Sequence, residues 1–305
     1  MSKYLQRIAD AYILEQRRAR RWRIFFRFCW LVFIVIIIGL LVSKFSSKKV
    51  TTECHLALVK VDGVIADNSN NNAQRINSSL DDAFESKNTK AVIVQINSPG
   101  GSPVQSDEVY EHMCFLQNKY PEIPLYAVCV DVCASGGYYI ASAAKYIYAN
   151  KMTITGSIGV RAGGFGFVDL LKKIGVERRL YSSGQDKNFL DSFETQNASQ
   201  VLKMEAMLAQ THQVFINAVK SGRSNRLDKK AEDKIFSGMP FSGIQAKAYG
   251  LIDGFASVDS LRREKFNNMK VVNFTEPLSL FDQLGQKIGT QIIYEAIEAG
   301  VLKLQ

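Results

Sequence analysis

Only three histidines occur in the 305 residues, His55, His112 and His212. None follows a turn or precedes a glycine, and no Gly-x-Ser-x-Gly elbow is present. A Ser-His-Asp triad therefore has no support in the sequence, and each histidine reads better as a surface or packed residue. The five cysteines, Cys29, Cys54, Cys114, Cys129 and Cys133, form no C-x-x-C pair. Their spacing carries neither a zinc signature nor a disulfide framework. Cys114, Cys129 and Cys133 lie in apolar surroundings and read as small core residues. No phosphate-binding loop, internal repeat or low-complexity tract is found. Neither a metal nor a nucleotide cofactor is expected.

The globular part also lacks a basic field. The net charge is +9, but residues 1–49 hold 11 Lys and Arg against 2 Asp and Glu, and the remaining residues balance at 27 of each. A nucleic-acid partner is not expected on that distribution. Long apolar runs are likewise absent, with one exception. Phe28–Val42 is an unbroken run of 15 residues, and counting back to Ile24 gives 19 with Arg27 as the sole charge. A spanning helix needs about 20 residues, and an arginine near the end can reach the interface. Arg17, Arg18, Arg20, Arg21 and Arg23 precede the run, whereas only Lys44, Lys48 and Lys49 follow it. That asymmetry predicts a single-pass anchor over 24–43 in the inner (cytoplasmic) membrane. Residues 1–23 would then be cytoplasmic and the rest would lie on the outer, periplasmic side. The long basic leader and the lack of an Ala-x-Ala site in Ser43–Ser47 argue against a cleaved signal peptide.

Beyond the anchor, apolar strand patterns alternate with helical ones. Strands are expected within His55–Ala66 and over Ala91–Ile96, Leu125–Val130, Tyr146–Ala149 and Glu177–Ser182. Helices are expected around Ile76–Phe84, Val104–Asn118 and Phe165–Lys173. Continuous apolar strands such as Ala91–Ile96 suit a parallel sheet covered on both faces. The order implies an α/β domain over 55–270. Ser199–Ser221, Lys229–Ile235 and Ile244–Ala248 add helices, and Val271–Phe274 reads as an edge strand. Residues 271–305 form a C-terminal extension, with an amphipathic helix expected over Leu278–Leu302.

One stretch organises this domain. Asp131–Ala141 (DVCASGGYYIA) follows the strand Leu125–Val130 and opens a helical pattern. Ser135 thus sits at a strand-to-helix turn between Ala134 and two glycines, which leave its hydroxyl uncovered and let a peptide backbone approach. Helix-opening amides nearby favour negative charge, as a serine nucleophile requires. A serine capping a tight glycine contact would look the same in isolation. With histidine unsupported, the remaining base is a lysine kept from water, which composition alone does not single out.

Four ordered segments carry a resemblance. Asn97–Val104 (NSPGGSPV), Asp131–Ala141, Thr155–Val160 (TGSIGV) and Ser183–Phe193 (SGQDKNFLDSF) resemble bacterial signal peptide peptidase A over roughly residues 55–265. The resemblance implies a caseinolytic protease/crotonase-like fold with a parallel sheet, and a Ser-Lys dyad. It makes Ser135 the nucleophile, Lys187 the general base and Ser157 the hydroxyl that holds the lysine. It assigns the oxyanion hole to the Gly100–Gly101 turn, leaving open which of the two donates, with Gly136 as a further donor. Phe189, Leu190 and Phe193 would cover the lysine. Lys145, Lys151 and Ser192 depart from the residues common in that family and bear on pocket shape. The length matches the short form, in which a homo-oligomeric ring completes the site. Implied substrates are cleaved signal peptides and other hydrophobic peptide segments, alongside the lipid bilayer as a partner. Two other readings stand beside this one. A non-catalytic peptide-binding scaffold of the same fold predicts indifference to Ser135→Ala, and a crotonase-like acyl-CoA enzyme predicts indifference to Lys187.

Overall fold

The computed structural model describes the backbone of residues 2–45 and 53–277, and side chains from residue 15 onward except at 19, 40–52 and beyond 277. The chain divides into two units, residues 1–50 and 51–305.

The first unit is one helix, α1 (Ser2–Phe45). Its 44 residues span about 66 Å at 1.5 Å per residue. Within it, Glu15–Gly39 is long and apolar enough to cross a membrane. Trp22 packs on Phe25 and Phe26 at the basic end of that stretch.

The second unit contains, in order, β1 (His55–Asp62), α2 (Ala73–Glu85), β2 (Thr89–Ser98), α3 (Pro103–Lys119), β3 (Leu125–Ala134), α4 (Gly136–Ser142), β4 (Tyr146–Ala149), β5 (Ile154–Gly156) and α5 (Val168–Lys173). There follow α6 (Ala198–Arg223), α7 (Glu232–Ile235), β6 (Pro240–Ser242), α8 (Gly243–Ala248), β7 (Gly254–Phe255), α9 (Val258–Lys265) and β8 (Lys270–Asn273). The main path of the sheet runs β6-β5-β3-β2-β1-β8, with β4 on β3 and β7 on β4. Every pairing is parallel except β5 with β6. This is a mixed, mostly parallel α/β sheet, as expected.

Successive strand residues face opposite sides of a sheet, and here both sides are covered. Val59, Val61, Val94, Ile96 and Cys129 pack against helices α2, α3, α4 and α6 through Leu80, Met113, Ile140 and Val219. Leu56, Leu58, Ile93, Tyr126 and Tyr148 face α9 through Leu261. Helix starts are set by local chemistry. The Asn72 side chain accepts from the Arg75 amide at the start of α2. Ser102 caps α3, where Pro103 occupies a position whose amide has no helical partner.

β3 carries an irregularity that aims the site. Ile96 pairs with Cys129 but Ser98 pairs with Cys133, so β3 gains two residues on its neighbour. The Val132 amide, left out of the ladder, donates to Asn97 Oδ1 at 3.2 Å. Before the shift β3 pairs with β4, and after it with β5. The bend carries Ser135 over the end of β2. The site therefore lies at the carboxyl ends of parallel strands, where open α/β sheets bind their ligands.

Some expectations need correction. Glu177–Ser182 is not a strand; the residues are exposed and have no neighbouring strand to pair with. The helix expected over Phe165–Lys173 begins only at Val168. β8 lies in the sheet beside β1, so the domain continues past 270. The helix expected over Leu278–Leu302 lies outside the described residues.

Candidate active site

Ser135 holds φ 52° and ψ −123°, a left-handed conformation that a non-glycine residue adopts only under constraint, at a cost of about 1–3 kcal/mol. The constraint is visible. The Ser135 amide donates to Gly156 O at 2.9 Å, and the Ser135 carbonyl accepts from the Tyr139 amide at 2.9 Å. Its hydroxyl caps no helix and has no hydrogen-bond partner among the described residues. The following glycines are required by packing. A Cβ on Gly136 would stand 2.4 Å from Ser106 Oγ, and one on Gly137 would stand 2.9 Å from Ser98 O.

The Gly100–Gly101 turn lies directly against this serine. A Cβ on Gly100, whose φ is 98°, would meet Gly136 N at 2.7 Å and Ser135 Cβ at 2.8 Å. The two amides of the turn differ. Gly100 N donates to Ser98 Oγ at 3.1 Å and is spent. Gly101 N donates no hydrogen bond among the described residues, and it lies 3.3 Å from where a Gly136 Cβ would project. Gly136 N opens α4, so it has no partner within the helix. Two unspent amides, Gly101 and Gly136, thus converge beside the serine. Gly101 is itself held by the Ile65 backbone, which bonds through Ile65 N to Gly100 O (3.0 Å) and through Ile65 O to Ser102 N (2.8 Å).

Ser157 follows the residue that receives the Ser135 amide, and it too has positive φ, 50°. Its amide donates to Met239 O at 3.0 Å and its hydroxyl to Gly238 O at 3.2 Å. The expected partner of that hydroxyl was a lysine; within one chain it is a backbone carbonyl.

Lys187 differs most from expectation. It is exposed, and no contact joins it to Ser135 or Ser157 among the described residues. Residues 161–199 form an arm with no buried side chain. Phe189 and Leu190 are half-buried, while Phe193 stacks on Phe167 at 5.3 Å and sits under Arg178 at 5.1 Å instead of covering the lysine. The reason is physical: these aromatics find partners inside the arm, and the arm has no core of its own to close over an amine.

The histidines are engaged elsewhere. His112 donates to Asp81 Oδ1 and His212 to Ile158 O, both at 2.9 Å. His55 is buried beside Thr89 at the start of the sheet. Cys133, two residues before Ser135, is a poor nucleophile because burial pushes its thiol well above the usual range. Tyr139 in α4 donates to Asp107 Oδ1 at 2.6 Å. Burial first, and that carboxylate second, push its phenol far up, so it serves as a fixed tie between α4 and α3. The supporting residues Ser98, Ser106 and Asp107 carry no spacing signal and emerge only when strands and helices are stacked.

This fold, with a strained serine beside two open amides, defines a serine-peptidase class of site. Residues 117–271 match the model of peptidase family S49, and the chain belongs to that family. It is similar to a sodium–proton antiporter NhaA of Brucella abortus, 39% identical over 198 residues, 65% of this chain and 26% of that protein. A candidate signal peptide peptidase SppA of Enterococcus faecium is 29% identical over 309 residues, 88% of this chain and 89% of that protein. A candidate protease of Synechocystis is 32% identical over 215 residues, 70% of this chain and 74% of that protein. The chain spans about a quarter of the length of the Brucella relative.

Proposed function

We propose that this chain is a membrane-anchored serine endopeptidase acting through a Ser135–Lys187 dyad. The observation that carries the reading is the strained Ser135 turn with the Gly101 and Gly136 amides unspent beside it. Ser135 Oγ attacks a peptide carbonyl while Lys187 Nζ takes its proton. The carbonyl oxygen, now negative, accepts from Gly101 N and Gly136 N; Gly100 shapes the turn. Collapse breaks the C–N bond, Lys187 returns the proton to the leaving amine, and an acyl-enzyme remains. Water, deprotonated by the same lysine, then attacks the ester; the acyl C–O bond breaks and Lys187 returns the proton to Ser135 Oγ.

A lysine does this only when water is kept from it, and one chain leaves Lys187 exposed. A homo-oligomeric ring, in which neighbouring copies cover the arm and turn Ser157 toward the amine, supplies that enclosure. The arm's apolar surface supports this: Phe165 is 80% and Tyr181 90% exposed. Residues 24–43 anchor the enzyme, with the arginine-rich end cytoplasmic and the catalytic unit on the outer face. Hydrophobic peptides, including cleaved signal peptides, are the substrates this placement favours, and the name of the Enterococcus relative supports them. The alternative, a peptide-binding scaffold, draws support from the exposure of Lys187. A fluorophosphonate probe separates the two. The enzyme forms one adduct, located by mass spectrometry on Ser135 and abolished in Ser135→Ala; a scaffold forms none.

A further inference from the structure

No side chain is buried across residues 159–199, and the first buried one after them is a glutamine. Gln200, in the first turn of α6, is 7% exposed. A buried amide must find partners, and Gln200 finds them in the loop that carries Lys187. Its Oε1 accepts from the Leu190 amide at 3.0 Å. Leu190 has φ 51°, a conformation a branched residue holds only when something fixes it. One turn further along α6, Lys203 Nζ bonds Asp186 Oδ2 at 2.5 Å, next to Lys187 itself. The bond to Lys203, and a lesser one from Gln200, hold the Asp186 carboxyl below the usual carboxylate range. The loop between them is a chain of turns, closed by Lys187 N to Gly184 O and Phe189 N to Asp186 O. The loop is thus pinned on both sides of the lysine by one face of one helix.

We propose that Gln200, assisted by the Lys203–Asp186 pair, is the positioning residue for Lys187. The exposed ion pair alone is worth little; the buried amide is the stronger hold. This rests on the reading of Lys187 as the base.

The test uses the full chain in detergent micelles and a synthetic signal sequence as substrate. Three quantities are read: kcat, KM and the hydrogen exchange of the Leu190 amide. Gln200→Ala is expected to lower kcat about a hundredfold, the cost of a misplaced catalytic group, with KM within about twofold because substrate contacts are untouched. Leu190 exchange should accelerate by more than about tenfold, since its amide loses its acceptor. Gln200→Glu keeps that acceptor but faces Asp186 with a second carboxylate, so it should lose activity that Asp186→Asn restores. Unchanged Leu190 exchange in Gln200→Ala overturns the inference. So does faster exchange with wild-type kcat while Lys187→Ala is inactive, which leaves the dyad standing. Full activity of Lys187→Ala overturns the dyad and the inference together, and is told apart by the Lys187 variant alone.

Discussion

At Ser135 the backbone is bent into a conformation serine avoids, and every neighbour is small because the bend leaves no room. Gly100 lies directly against that bend. Alanine there would place a methyl 2.7 Å from Gly136 N, at φ 98°. We expect Gly100→Ala to displace the Ser135–Gly136 peptide and cut kcat by about a hundredfold, measured against a hydrophobic peptide. Gly101→Ala fails differently, because its methyl would fall 1.9 Å from Ile65 O. It should destabilise the fold by about 3 kcal/mol or more, seen as a Tm lower by roughly 6–12 °C. Ser135 was legible in the sequence because strand, turn and helix patterns are local and meet there. Which glycine amide is open was not legible, since that depends on the Ser98 hydroxyl taking the Gly100 amide. The free surface around Lys187 was not legible either, because solvent exposure depends on what packs from far along the chain.

Among the elements, the end of α6 shows how distant segments lock the sheet. Arg223 is fully buried, its guanidinium bonded twice to Asp253 at 2.9 Å and once to Gly250 O at 3.0 Å. Asp253 in turn accepts from the Ile147 amide of β4 at 2.7 Å. Burial would raise the Asp253 carboxyl, but the Arg223 bonds and the Ile147 amide outweigh it and hold it below the usual range. Asp253→Ala leaves a buried cation without its partner and should cost about 3–5 kcal/mol at neutral pH. A carboxyl depressed in the folded state stabilises above its unfolded pKa, about 3.9, and loses that contribution as pH falls through the lower folded value. The Tm gap between wild type and Asp253→Ala should therefore narrow between neutral pH and about pH 3. A constant gap would show that the pair acts through packing and not charge. The parallel strands were readable from their continuous apolar runs, and the long helix from its period. Glu177–Ser182 misled because alternation states which side chains share a face, and not whether a partner strand exists. The short strand Gly254–Phe255 and the helix Val258–Lys265 carry too few residues for a period to emerge.

The chain carries one helix long and apolar enough to cross a membrane, and a peptidase unit whose arm, residues 161–199, has no buried side chain. Phe165, Tyr181, Ile174 and Leu202 are all more than half exposed, and an interface between copies would take such side chains out of water. The full chain in detergent micelles should therefore sediment as an oligomer. Replacing Phe165 and Tyr181 together by serine should shift it toward the monomer and lower kcat in parallel, because Lys187 loses its enclosure. Monomeric protein with full activity would refute the shared site.

Joint action of Ser135 and Lys187 on a peptide bond is best checked by cleavage of a synthetic signal sequence. The full chain is compared with Ser135→Ala and Lys187→Ala, each checked by sedimentation for unchanged assembly. The wild type is expected to cleave, and both variants are expected to lose activity while keeping their assembly. Near-wild-type cleavage by Lys187→Ala would contradict joint action and send the search for the base elsewhere. Equal inactivity of all three, with the peptide still bound, would contradict it in favour of a scaffold.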